Sequence, residues 1–387
     1  MSSTLKYFAL LLTILLILSC MQNPKAKEIK TAKKAEFTLD SLIDIPTDDL
    51  VSFISGMDHG RSGCLSKLDS TVKWDQYARE LDSTFSRIGS VRFEKMKSWA
   101  DSEFVKNPNI TTVFYPFSGP DFLNANIFYP NADQYIMLAL EPIGNLPDIC
   151  NTPPDSVTSY LNKINNSLRD VYKRSYFITS TMNDDLRKTK VNGVISLLSF
   201  FIKRTGHHIV SIKSIGIDSE GNWQLADSLK NQKNVVPGIK IDFLSLSGKK
   251  VQTVFYFKTD ISDKGLEKNQ NLRKYLSRLP QSDSYLKAGS YLLHYETFKE
   301  IRSVIFDKSS TILQDDSGIA YKYFDKKMWK ITLYGNYARP IDEFKFISEP
   351  DLEKAYKDSI VEPLPFILGY NWRTGHINML YAVKNAK

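Results

Sequence analysis

Apolar residues along this chain fall into two rhythms that alternate several times. In "TDDLVSFISGM" (47–57) the spacing is helical, with Thr47 as the expected N-cap and Asp48 and Asp49 in a first turn whose dipole favours negative charge. Val72, Trp74, Tyr77, Leu81, Phe85 and Ile88 then share one face, which predicts an amphipathic helix followed by a second one through Trp99. At 111 the rhythm changes. "TTVFYPF" (111–117) predicts a strand, "SGPDFLNANIFYP" (118–130) a turn and short helix, and "DQYIMLALEP" (133–142) a strand so continuously apolar that both its faces must be covered. Strand, helix and strand in that order predict a right-handed parallel crossover.

After the proline-rich stretch "NLPDICNTPPD" (145–155), helices are expected around 156–174 and 190–204, the latter unusually apolar. The second half is dominated by period-two runs. "HIVSIKSIGID" (208–218), "GIKIDFLSLSG" (238–248) and "KKVQTVFYFKTD" (249–260) are expected strands, the last two forming an antiparallel hairpin about Ser247-Gly248. Helices are expected at 263–278 and 283–305. "STILQ" and "IAYKYF" flank "DDSG" as a second hairpin; "MWKITLYGNY", "PFILGY" and "INMLYAVK" close the chain. The fold class expected is mixed α/β: a layered domain with a parallel βαβ unit in the first half and a mainly antiparallel sheet with helices in the second. The 387 residues suit one large domain over 41–387, or two packed lobes, 41–188 and 189–387.

The N-terminus adds an address. Lys6, an apolar run from Tyr7 to Leu18, and Ser19-Cys20 have the layout of a secretory signal, and the run is shorter than the about 20 residues a membrane span needs. "ILSC" at 17–20 resembles the lipobox of bacterial lipoproteins. That resemblance implies cleavage after residue 19, a lipid on Cys20, and a chain anchored to a membrane rather than crossing it. Residues 20–40 are polar and lysine-rich, so they read as a flexible tether whose basic charge also suits anionic headgroups. The expected place is the bacterial cell envelope, on the periplasmic side of the outer membrane, since no acidic run follows the cysteine.

Net charge changes the picture little. The formal charge of +8 is mild for this length, and no block of Lys and Arg with interleaved aromatics is present, which excludes nucleic acid as a partner. An envelope protein, a glycan or a small molecule remains as partner. Cys64 and Cys150 are the remaining cysteines; in an oxidising compartment they form either a disulfide or two buried thiols, and their spacing is not that of a zinc site. No metal and no cofactor is expected.

Candidate chemistry gathers in two acidic turns. In "SGPD" (118–121), Ser118 and Asp121 have the spacing of a helix-capping box with Pro120 in the first turn; alternatively Ser118 is a hydrogen-bonding or nucleophilic group and Asp121 a base or cation ligand. If the strand before them is parallel, the turn lies where α/β sheets bind ligands. Asp315 and Asp316 in "LQDDSG" are turn formers, ligands of a hard cation such as calcium, or an acid and base pair. His59, in the glycine-rich "MDHGRSGC" (57–64), is the histidine best placed to join Ser118 with Asp58 or Asp121 in a hydrolase set. Tyr334, Tyr337 and Arg339 in "YGNYARP", and Tyr370 and Trp372 in "GYNWRTGH", combine rings and charge in a way that suits a sugar, a peptide or ordinary turn packing.

Glu141 lies 23 residues beyond Ser118, and the unit from 111 to 142 resembles the first half of a nucleotide-binding or class I methyltransferase domain, which implies an acid there that holds a ribose. Gly119 stands alone where that pattern wants several glycines, and Asp121 puts negative charge where a phosphate would sit. The lipobox, the 115–142 segment and "LQDDSGIAYKYF" together resemble an uncharacterised family of bacterial envelope proteins, a resemblance that transfers no catalytic residue. The leading expectation is a lipid-anchored, non-catalytic ligand- or partner-binding domain in which Asp121→Asn alters stability little. The alternatives are an envelope hydrolase, metal-assisted or serine-based, and a degenerate methyltransferase-like fold.

Overall fold

The computed structural model describes residues 38–60, 63–104, 111–177, 193–372 and 377–385, with backbone alone at 371 and 372. The signal segment, Cys20 and the tether through 37, Arg61, the 186–190 junction, Arg373, His376 and the Trp372 side chain lie outside the described residues. The chain opens with helices α1 (Ile45–Ile54), α2 (Gly63–Thr71) and α3 (Trp74–Ile88), and α3 runs through a π turn into α4 (Glu94–Glu103). Strand β1 (Thr112–Pro116), α5 (Phe122–Phe128) and β2 (Gln134–Ala139) form the crossover, followed by α6 (Pro154–Ser167), α7 (Arg169–Arg174) and α8 (Ile195–Arg204). Next come β3 (His208–Ile217), β4 (Trp223–Leu225), β5 (Val236–Leu244) and β6 (Val251–Lys258), then α9 (Asp263–Lys268) and α10 (Gln270–Ser277). The rest is β7 (Ser282–Leu286), α11 (Lys299–Lys308), β8 (Ser309–Gln314), β9 (Trp329–Gly335), α12 (Pro350–Asp358), β10 (Val361–Glu362) and β11 (Asn378–Lys384).

Among the described residues, all eleven strands belong to one sheet, ordered β10-β9-β11-β8-β7-β1-β2-β6-β5-β3-β4. Its middle is parallel: β8, β7, β1, β2 and β6 run the same way. Antiparallel strands flank this block, β5 and β3 beside β6, and β11 and β9 beside β8. The mixed α/β class expected from the sequence is therefore the observed one, with β1–α5–β2 as a parallel unit (Thr112 opposite Gln134).

Alternation along each central strand explains why these runs are apolar on both sides. Val113, Tyr115, Tyr135, Met137, Val254, Tyr256 and Tyr285 face a core built with the helices of the first half. Phe114, Ile136, Leu138, Phe255, Phe257 and Leu286 face a second core with helices from the second half, including Ile301, Ile305 and Leu352. Full burial of such side chains stabilises by about 1.5–3 kcal/mol each, which holds a helical layer on either face. Among the described residues no helix is long and apolar enough to cross a membrane.

Several local expectations are corrected. Asp44, not Thr47, caps α1, its carboxylate accepting from the Thr47 amide and hydroxyl. Residues 282–286 form strand β7 rather than a helix, because five consecutive buried positions sit between two parallel neighbours. Asn269 ends α9 and caps α10, splitting the single helix expected over 263–278. "DDSG" is not a hairpin: β8 pairs with β7 and β11, and Tyr321–Tyr323 is a 3-10 turn.

Candidate functional site

In chain order the parallel strands start at β1, add β2 and β6 on one side, then return to add β7 and β8 on the other. Connections leave the carboxyl ends of β1 and β7 in opposite directions, and the crevice this opens is where doubly wound sheets bind ligands.

Beyond β1 the backbone turns sharply, with Phe117 at φ 61° and Gly119 at φ 51°. Asp121 is the N-cap of α5, with Oδ1 accepting from the Asn124 amide (3.4 Å) and side-chain nitrogen (2.8 Å). The capping role expected of Ser118 is therefore corrected: the cap falls on Asp121, and Ser118 Oγ is buried with no hydrogen-bond partner. Asp121 Oδ2 accepts from Tyr115 Oη (2.8 Å) and pairs with Lys287 Nζ (2.5 Å). Lys287 follows β7 directly, is 3% exposed and also donates to the Ser175 carbonyl. Burial pushes its ammonium below the ordinary lysine range, and the Asp121 carboxylate opposes that shift.

Glu141 closes the opposite wall just past β2. It is 6% exposed, Oε2 has no hydrogen-bond partner, and burial raises its carboxyl against the pull of its own and the Leu140 backbone. Ser118, Asp121, Glu141, Tyr176 and Lys287 line a cavity of about 50 Å³. It shares Phe117, Gly119, Glu141 and Ala288 with a more apolar chamber of about 150 Å³ walled by Leu140, Ile261 and Phe298. The rim is strained. Phe117, Ser175, Ala288, Ser290 and Tyr291 all have φ between 51° and 65°, and such non-glycine outliers concentrate where a surrounding structure holds a functional shape.

Asp315, beyond β8, accepts from the Ala288 amide (2.9 Å) and from the Ser317 amide and hydroxyl (3.1 and 2.5 Å). Burial first, and Asp316 second, push its carboxyl up to about 7. Its Oδ2 lies so near Gly369 (φ 67°) that a Cβ there would sit 2.1 Å away, which requires glycine. Asp316 points elsewhere, accepting from Tyr291 Oη (2.5 Å) and Asn378 Nδ2 (3.1 Å). A carboxyl raised in the folded state gives stability that is present at low pH and lost as pH rises from the ordinary range of about 4 through about 7. Asp315→Asn is therefore expected to shrink the fall in urea midpoint between pH 5 and pH 8; an unchanged fall would show that another group carries it.

The fold thus brings Asp121, Glu141 and Lys287 into one crevice, with Asp315 beside its rim through Ala288. It does not bring His59, whose Nε2 lies 3.2 Å from Asp69 while its ring packs on Phe53 and Trp74 at 5.2 and 4.7 Å. Among the described residues no group of three His, Cys, Asp or Glu side chains is placed to hold a metal ion. Tyr334 donates to Glu103 (2.5 Å) and packs on Trp99; Tyr337 is buried against Tyr356. Arg339 pairs with Asp342 at the surface (2.8 Å). Of these candidates, among the described residues, Tyr370 serves the crevice, bonding the Ala288 carbonyl (3.0 Å) and Ser290 (2.9 Å) behind the rim. Cys64 and Cys150 are joined in a disulfide with Cα atoms 5.6 Å apart.

Lys287 is the residue that sequence reading passed over. In "SDSYLKAGS" it sits inside a stretch of helical-looking composition, and only the Gly289-Ser290 turn after it hinted at a strand end. Comparison with known proteins adds no relative. No family model, curated protein or solved structure matches this chain.

Proposed function

We propose that this protein is a lipid-anchored cell-envelope protein whose crevice at the β1/β7 switch point binds a small ligand. One observation carries the reading: Ser118 Oγ and Glu141 Oε2 line the same crevice, both buried and both without a partner. An unsatisfied buried polar group costs about 1–3 kcal/mol, so two facing one space favour an occupant that completes their bonds. The occupant best suited carries hydrogen-bonding groups toward Ser118 and Glu141 and an apolar part against Leu140, Ile261 and Phe298. Native mass spectrometry of the protein purified from membranes tests this. The wild type is expected to carry a small-molecule mass that Ser118→Ala with Glu141→Gln lacks; bare protein in both cases would refute the reading. The anchor has its own test, since Cys20→Ser should abolish labelling by a palmitate analogue and release the protein from the membrane.

A second reading is a methyltransferase-like fold without activity. The parallel order β6-β2-β1-β7-β8 is the doubly wound order, and the insertion of antiparallel β11 between β8 and β9 is similar to that of class I methyltransferases. The Lys287–Asp121 pair fills the bottom of the crevice and leaves about 50 Å³. S-adenosylmethionine is accordingly expected to give no heat of binding, and a measurable heat would overturn the loss of function. The hydrolase alternative has less support, because Asp121 is engaged by Lys287, Tyr115 and Asn124 and, among the described residues, no side chain hydrogen-bonds Ser118 Oγ.

A further inference from the structure

At the end of β2 opposite Glu141 lies a groove of about 220 Å³ that shares no lining residue with the crevice. Its lining includes Gln134 of β2, Phe255 of β6, Asn222 and Trp223 where β4 begins, Tyr275 of α10 and Arg278 just after it. Hydrogen bonds fix the turn before β4 against α10. Arg278 Nη1 donates to the Glu220 carbonyl and to Asn222 Oδ1 (3.3 Å), and Lys274 Nζ donates to the Ser219 carbonyl (2.6 Å). Within the turn, Asp218 Oδ1 accepts from the amides of Glu220 and Asn222 (3.0 and 2.8 Å). The groove is therefore held open by the fold rather than by a ligand.

Three kinds of group meet there. Trp223, on the edge strand, is 40% exposed; its ring meets Phe255 at 5.5 Å and a tilt of 50°, and Lys240 Nζ lies 5.8 Å from its centroid. Gln134 Nε2 donates to Thr112 Oγ1 (2.9 Å), and among the described residues nothing donates to its Oε1. Asn222 spends Oδ1 on Arg278, which leaves Nδ2 as a donor. Arg278 makes its bonds through Nη1, so among the described residues the N–H groups of Nε and Nη2 are left for a ligand. Among the described residues the lining holds one cation, Arg278, and no carboxylate; the charge of Lys240 is taken up by Asp242.

We propose that this groove binds a pyranose ring bearing a carboxylate, a hexuronic acid, with its C–H face on Trp223, its hydroxyls at Gln134 and Asn222, and its carboxylate on Arg278. A hydroxyl both donates and accepts, so one type of group meets the Gln134 acceptor and the Asn222 donor. The C–H face of the ring is apolar and gains by leaving water against the indole. A guanidinium matches a carboxylate in plane and in charge, and no acid in the lining opposes it. An aromatic acid would use the ring and the cation but leave both amides unmet. The same chemistry is offered by a free sugar acid or by one residue of an acidic polysaccharide.

Saturation-transfer NMR titrations of the full mature chain test the assignment, with methyl β-D-glucuronide, methyl α-D-galacturonide, their neutral glucoside and galactoside counterparts, and benzoate. At least one hexuronide is expected to bind about ten- to a hundredfold more tightly than its neutral counterpart, the range for charge-assisted hydrogen bonds. Arg278→Gln should remove that preference, and Trp223→Ala should weaken the hexuronide by about tenfold. Glu141→Gln, in the separate crevice, should leave binding unchanged. Because Arg278→Gln also loosens the turn before β4, the ratio of acidic to neutral sugar on the wild type is the deciding measurement. Trigalacturonate binding more tightly than the methyl galacturonide identifies a polysaccharide as the source, and equal or weaker binding a free sugar acid. Absence of binding by both hexuronides, equal affinity for the neutral glycosides, benzoate binding as tightly, or loss of binding in Glu141→Gln would each overturn the proposal.

Discussion

Lys287→Met lowers the stability of the folded domain by about 3–5 kcal/mol, and Asp121→Asn does nearly the same. The reason is the place of the pair: both side chains are at most 3% exposed, and among the described residues each is the other's one opposite charge within ion-pair distance. Removing one partner leaves a charge in a low-dielectric site with nothing to offset its lost hydration. Asp121→Asn also strands Tyr115 Oη and weakens the α5 cap, so the small effect expected from the sequence is replaced by a large one. The double variant Lys287→Met with Asp121→Asn should recover much of the loss, because neither side chain then leaves an unpaired charge. Urea unfolding of the four proteins decides this. Additive losses in the double variant would show that the pair is not an energetic unit.

Reduction or Cys64→Ser costs about 4–5 kcal/mol by the loop-closure argument. The disulfide spans 86 residues, and loop entropy of the unfolded chain grows with that length. It joins α2 to the turn Ile149–Asn151, which follows Glu141 of the crevice wall in the chain. Loss of the bond should therefore lower the thermal midpoint and expose the 140–150 stretch to protease. Equal midpoints with and without reductant would mean that packing of α2 on the core suffices alone.

How much of this was legible depends on the range over which each residue acts. The strand, helix and strand of 111–142 were readable because period and turn residues are local properties. The Asp121 carboxylate was also visible as a helix-start residue, and its spacing from Ser118 made a capping box plausible. What displaced Ser118 from the cap is the left-handed turn at Phe117 and Gly119, which points its hydroxyl into the crevice. His59 looked catalytic from its glycine-rich neighbourhood, but packing on Phe53 and Trp74 binds it to another part of the core. Strand β7 was missed because a five-residue buried strand has no period to distinguish it from a helix segment.

By itself the sequence determined the mixed α/β class, the parallel unit and the two acidic turns. Each follows from residues within a few positions of one another. The tertiary structure alone decided that strands β7 and β8 return to the far side of β1, since strand order is set by which faces can be covered by helices. That return puts Lys287 beside Asp121, which is 166 positions earlier in the chain. A buried charge acquires its partner through space, and no pattern along the chain records which residue that will be.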